Sequence, residues 1–122
     1  MKTFRAIIIE DEKPARDLLK AYLEEFPQVE LLAEYDNGFD GLKAVNKLEP
    51  DVIFLDVQMP KLSGLDATRT IRQRDSETPI IALTASALKE DQLRCTEAGC
   101  NQHLAKPIDY KILTRLLFEY LS

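Results

Sequence analysis

A chain of 122 residues with 45% apolar side chains is long enough for one buried core and too short for two, so residues 1–122 are read as a single domain. Sixteen Lys and Arg against twenty-one Asp and Glu leave a net charge of -5, the wrong sign for a surface that grips nucleic acid through its phosphates. No apolar run reaches the roughly 20 residues that span a bilayer or resembles a secretory leader, so a cytoplasmic protein with no membrane segment and no direct nucleic-acid binding is expected.

The first predicted element is a strand at Phe4 to Ile9, where apolar residues on consecutive positions suit a strand covered on both faces. Ala15, Leu18, Leu19, Tyr22, Leu23 and Phe26 then recur at helical spacing, with Pro14 suited to the first turn. A second strand is expected at Val29 to Tyr35, followed by a shorter helical stripe of Leu42, Val45 and Leu48. Val52 to Leu55 reads as a third strand, and Leu65, Thr68 and Ile71 as another helical stripe. After a fourth strand at Ile80 to Thr84, residues 86 to 98 form a more polar helix ended by Gly99. A weaker fifth strand at His103 to Ala105 leads to a last helix carrying Ile112, Leu113, Leu116, Leu117 and Tyr120, with Asp109 where an N-cap belongs. Cys95 and Cys100 do not form a C-x-x-C pair; on a helix a separation of five sets them on different faces, and both are expected as reduced thiols packed like small hydrophobes. Strand and helix thus alternate five times, and right-handed crossovers turn that alternation into an α/β fold: a single doubly wound parallel sheet with helices on both faces.

In such a sheet the carboxyl ends of the strands line one edge, and ligands bind in the crevice there. The residues at those ends are Glu10, Asp11 and Glu12 after the first strand, Asp56 after the third, Thr84, Ala85 and Ser86 at the fourth, and Lys106 and Pro107 after the fifth. Crowded carboxylates raise one another's pKa unless a cation neutralises them, and an all-oxygen set without His or Cys suits a hard ion such as Mg²⁺. The lysine ammonium and threonine hydroxyl offer donors to a dianion, and aspartate accepts phosphoryl groups as an acyl phosphate. Taken singly, Asp56 could be a turn former, Lys106 a solvated cation and Thr84 an ordinary strand residue. Their convergence at one edge favours a phosphoryl receiver. For Glu12 the plainer reading is kept, an acid that meets the dipole of the first helix.

The segments IIIEDEKPAR, VIFLDVQMPKLSG, PIIALTASA and LAKPI stand in this order, and on them the chain resembles, over essentially its whole length, the receiver domain of bacterial two-component response regulators. The resemblance implies a flavodoxin-like (βα)5 sheet with strand order 2-1-3-4-5. It implies Asp56 as phosphoacceptor and a Mg²⁺ site made by Asp11, Asp56, the backbone carbonyl of Gln58, and Glu10 acting through water. Lys106 would pair with the phosphoryl oxygens and Thr84 would hydrogen-bond them, in a reaction driven by positioning and charge neutralisation. A cis Lys106–Pro107 peptide is expected by the same resemblance. Gln58 and Ser86, two places beyond Asp56 and Thr84, would control the access of water to the acyl phosphate. The implied partners are a histidine kinase or histidine phosphotransfer protein and an output partner or domain the sequence does not specify, with homodimerisation on activation left open. The partner would read the face made by the fourth helix, fifth strand and fifth helix. Such a domain is a regulatory phosphoacceptor rather than an enzyme, its only chemistry being self-catalysed aspartyl phosphorylation and dephosphorylation.

Two residues depart from the family pattern. His103 stands where receivers usually carry a tyrosine or phenylalanine that turns inward as the threonine moves; it is either a plain strand residue or a switch residue whose imidazole makes the output pH-dependent. Glu10 is one methylene longer than the usual aspartate. Pro60 and Gly64 are expected to fold the loop after Asp56 clear of the acceptor. Two other readings are a docking module that is never phosphorylated and a hydrolase using Asp56 as nucleophile. Against the hydrolase, residues 56 to 60 read D-V-Q-M-P, with no second aspartate two places on to act as general acid.

Overall fold

The computed structural model describes residues 3–59, 62–85 and 88–121, the side chain of Leu121 excepted. In chain order the elements are β1 (Phe4–Ile9), α1 (Lys13–Leu23), β2 (Val29–Tyr35), α2 (Gly38–Leu48), β3 (Val52–Asp56), α3 (Gly64–Arg72), β4 (Ile80–Thr84), α4 (Lys89–Ala98), β5 (Gln102–Ala105) and α5 (Tyr110–Leu121). The strands form one parallel sheet in the order β2-β1-β3-β4-β5. The expected strands are all present, and two extend beyond their apolar runs. Asp56 still pairs with Leu83 in the ladder, and Gln102 pairs with Ile81. Of the helix expected at 86 to 98, Lys89–Ala98 is seen; positions 86 and 87, and with them Ser86, lie outside the described residues, as does Pro60.

Consecutive apolar positions are explained by burial on both sides. Ile8, Phe54, Ile81 and Leu83 pack against Leu19 and Leu23 of α1 and Leu113, Leu116 and Leu117 of α5. Ile7, Ile9, Ile53, Leu55 and Ala82 point the other way, onto Ala44 and Val45 of α2, Ala67 and Ile71 of α3, and Cys95 of α4. β3 and β4 are buried at every residue, whereas edge strand β2 is mostly half-exposed. Helix α4 buries only Cys95 and Ala98, which makes it the least anchored of the layer.

Local capping fixes the helix starts near the functional edge. The Asn37 side chain accepts from Asp40 N–H at 2.9 Å, Ser63 from Asp66 N–H at 3.2 Å, and Asp109 from Lys111 N–H at 2.8 Å. Helix α4 ends at Gly99, whose φ of 119° belongs to the left-handed region. There Gly99 N–H donates to Thr96 O at 3.0 Å and Cys100 N–H to Cys95 O at 2.9 Å, the paired bonds of a Schellman turn. This turn corrects the expectation that the two cysteines face apart. Cys100 lies beyond the helix, folds back, and joins Cys95 in the same buried cluster as a free thiol.

Helix α2 ends differently, on Glu49, a residue with a side chain at φ 48°. Arg5 compensates by donating to Leu48 O at 2.9 Å and Glu49 O at 3.1 Å. The left-handed region costs a residue with a Cβ about 1–2 kcal/mol, and glycine's extra unfolded-chain entropy offsets about half of that. Glu49→Gly is therefore expected to stabilise the fold by roughly 0.5–1 kcal/mol. A urea midpoint that rises at unchanged slope checks it; a lower midpoint refutes it.

Candidate functional site

Strands β1 and β3 are neighbours with Ile9 opposite Leu55, so the residues just beyond that pair, Glu10 and Asp56, emerge together at the carboxyl edge. Both are fully buried. Asp11 is half-buried and Glu12 exposed, and one oxygen from each of Glu10, Asp11, Glu12 and Asp56 lies within 4.8 Å of the others. Asp56 Oδ1 accepts from Gln58 N–H at 2.9 Å. Glu10 is engaged through both oxygens: Oε2 accepts from Glu12 N–H at 3.0 Å and Oε1 from Lys106 Nζ at 3.0 Å. Behind it, Arg16 donates to the Glu10 carbonyl at 2.8 Å and to Glu34 at 3.2 Å, tying the start of α1 to β2.

Lys106 reaches this cluster from the turn after β5, where the Lys106–Pro107 peptide is cis. Its ammonium lies 3.0 Å from Glu10, 2.9 Å from Glu12 and 3.5 Å from Asp56 Oδ2. The third contact is an ion pair without a hydrogen bond. Among the described residues, Asp56 Oδ2 and Asp11 Oδ1 are the buried side-chain oxygens that no donor satisfies.

Burial pushes the Asp56 carboxyl up to about 8, and the crowding acids Asp11 and Glu10 push in the same direction. For Asp11 burial also acts upward, but its side-chain contacts with Asp56 and Glu10, its own backbone N–H and the Lys106 charge outweigh it and hold the carboxyl below the usual range. At Lys106 burial acts downward; hydrogen bonds to Glu12 and Glu10 prevail and hold the ammonium above its ordinary value. Among the described residues four carboxylates crowd around the Lys106 ammonium, and two buried oxygens keep unused lone pairs. That donor set fits a hard divalent cation.

Thr84 ends β4 one residue past Leu83, the ladder partner of Asp56, and is almost fully buried. Its carbonyl accepts from Lys106 N–H at 2.8 Å, so hydroxyl-bearing and ammonium-bearing segments are joined. His103 is half-buried and pairs with Ala82. Since alternate strand residues share a face, Thr84 and His103 both lie on the α4 side of the sheet. The side chain of Gln58 is exposed beside Asp56.

Gly64 has a role other than clearing the loop. It opens α3 with its N–H on Val57 O at 3.1 Å, and a Cβ at this position would sit 2.0 Å from Asp56 O and 2.5 Å from Val57 Cα. Only a residue without a side chain lets α3 start against the acceptor's own backbone. Glu12 is the other residue whose part the sequence conceals: it sits at the N-cap of α1 without capping it, and its side chain pairs instead with Lys106, 94 positions away.

The fold and the edge define a doubly wound α/β domain with an acidic pocket, the buried Thr84 and the Lys106 ammonium at its carboxyl edge. Residues 6–118 match the response regulator receiver domain family, and the chain belongs to that family. It is 36% identical over 113 residues to a response regulatory protein of Yersinia pestis, an alignment covering 93% of this chain and 46% of the relative. It is 35% identical, with the same coverage, to the transcriptional regulatory protein BtsR of Escherichia coli K12. The chain thus spans about half the length of these relatives. Among solved structures it is similar to the receiver domain of the sensor histidine kinase PA1611 of Pseudomonas aeruginosa, at 30% identity and a TM-score of 0.86 with 98% of both chains covered. That protein was crystallised with a magnesium ion coordinated in its active-site cleft.

Proposed function

We propose that residues 1–122 form one receiver domain that takes a phosphoryl group from the phosphohistidine of a histidine kinase or histidine phosphotransfer protein onto Asp56. The observation that carries this reading is the buried Asp56 Oδ2, left without a hydrogen bond among the described residues and 3.5 Å from the Lys106 ammonium. This oxygen attacks phosphorus as the P–N bond to the donor imidazole breaks, and the product is an aspartyl phosphate. Lys106 turns to the phosphoryl oxygens, and the Thr84 hydroxyl donates to them.

Asp11, Asp56 and the backbone carbonyl of Gln58 would hold Mg²⁺, with Glu10 acting through water because both its oxygens already accept hydrogen bonds. When bound, the ion supplies the positive charge that keeps Asp56 ionised among its neighbours and offsets the charge of the arriving group. The donor has room to approach: a cleft of about 420 Å³, lined in part by Pro14, Ala15, Leu18, Pro107 and Ile108, opens beside Lys106.

Movement of Thr84 toward the phosphoryl group would propagate to His103 on the same side of the sheet and bias the α4–β5–α5 face for an output partner or a second copy of the chain. Leu93 on α4 and Phe118 on α5 are exposed apolar side chains on those elements. The site of action is the cytoplasm, where such donors reside.

Incubation with acetyl phosphate and Mg²⁺ should give a hydroxylamine-labile phosphoryl adduct on Asp56, absent from Asp56→Asn and from reactions with chelator. An adduct that survives in Asp56→Asn, or no adduct on the unaltered chain, removes the reading.

A further inference from the structure

Lys106 is shared among three carboxylates of unequal standing. Glu10 and Asp56 are fully buried, while the Glu12 side chain is 65% exposed and makes the shortest of the three contacts, 2.9 Å. Glu12 is also released from other duties. Its side chain makes no capping bond to α1, and Glu10 is secured separately by Glu12's backbone N–H, a contact that a glutamine at this position keeps. The Glu12 carboxylate and the ammonium together form the charged rim of the cleft beside the acceptor.

We infer that Glu12 is a positioning residue that keeps the Lys106 ammonium engaged, 2.9 Å from Glu12 against 3.5 Å from Asp56, in the unphosphorylated chain and so restrains loading of the acceptor. The inference rests on Asp56 being the phosphoacceptor. Lys106 must leave Glu12 to meet the incoming phosphoryl oxygens, and the Glu12 charge repels the anionic donor. Both effects oppose phosphorylation, and both vanish when Glu12 is neutralised. An ion pair with one exposed partner is weak, which suits a restraint rather than a block.

The test is a double-mutant cycle with Glu12→Gln, Lys106→Ala and their combination, loaded with acetyl phosphate and Mg²⁺. Glu12→Gln should be phosphorylated about two- to fivefold faster than the unaltered chain, the span such a pair carries. In the Lys106→Ala background the same substitution should lose most of that acceleration. A second measurement needs neither metal nor donor: acylation of the Lys106 amine by an activated ester, read by peptide mass spectrometry, should rise severalfold in Glu12→Gln.

If the unaltered chain takes up no phosphoryl group, the phosphoacceptor assignment itself fails. An unaltered chain that loads at the same rate as Glu12→Gln overturns this inference alone. So does slower loading accompanied by a tenfold or greater loss of Mg²⁺ affinity, which would make Glu12 a metal ligand. An acceleration of equal size with and without Lys106 overturns it as well.

Discussion

Gly64→Ala is expected to cost about 2–4 kcal/mol of stability and to lower the rate of Asp56 phosphorylation at least tenfold. The new methyl group would lie 2.0 Å from Asp56 O and 2.5 Å from Val57 Cα, both backbone atoms of the segment that carries the acceptor. Backbone at the end of a fully buried strand cannot step aside as a side chain can, so either α3 lifts off or Asp56 shifts. Either response misplaces the carboxylate relative to Lys106 and Asp11. Gly38→Ala is the matched control. Its Cβ meets Leu62 Cδ2 at 2.9 Å, the far end of a flexible side chain, and a smaller loss is expected with phosphorylation little changed. Thermal midpoints and acetyl phosphate kinetics on both variants decide the matter. Equal effects at the two positions, or a Gly64→Ala chain as active as the unaltered one, would mean that the close approach does not place the acceptor.

The sheet was legible because its central strands are buried on both faces and therefore apolar without interruption, as Ile7 to Ile9 and Ile80 to Leu83 are. Periodicity cannot say which strands are neighbours, and the order 2-1-3-4-5 came from resemblance. The acidic residues were legible by the same logic: a carboxylate at the end of an apolar run, as with Glu10 and Asp56, has to emerge where the strand ends. Contacts between distant segments were hidden. Glu12 looked like an ordinary acid before a helix because its partner is brought near only by the turn after β5. Cys100 looked as if it faced away from Cys95 because helical spacing was carried past Gly99, where the backbone reverses. The role of Gly64 was hidden for a related reason: a sequence records the missing side chain but not the atom that needs the space.

Neutralising the acceptor should make the metal-free chain more stable. Glu10 and Asp56 are both fully buried, and among the described residues Asp56 Oδ2 lacks a donor and the Lys106 ammonium serves three carboxylates. A buried charge without adequate partners costs several kcal/mol, so Asp56→Asn, which keeps the shape and removes the charge, should gain on the order of 2–3 kcal/mol in chelator at pH 8. For a chain of this length that is about 5–15 °C in thermal midpoint. The pH dependence follows from the direction of the shift. Asp56 is raised from 3.8 to about 8, so the folded chain binds this proton more tightly than the unfolded one. The stability it contributes is fully present below the unfolded value and is lost as pH rises toward and through 8. Asp11, held below its usual range, acts in the opposite sense: its contribution is present above the unfolded value and disappears only in acid. Between pH 5.5 and 8.5 the Asp56 effect governs, and the midpoint of the unaltered chain in chelator should fall while that of Asp56→Asn stays nearly flat. Saturating Mg²⁺ should recover the loss in the unaltered chain, by about 2.7 kcal/mol at a hundredfold excess over Kd, and do much less for Asp56→Asn. A variant no more stable than its parent in chelator at pH 8 would show that the pocket tolerates its crowded carboxylates without a cation, and the case for a metal requirement would lose its physical basis.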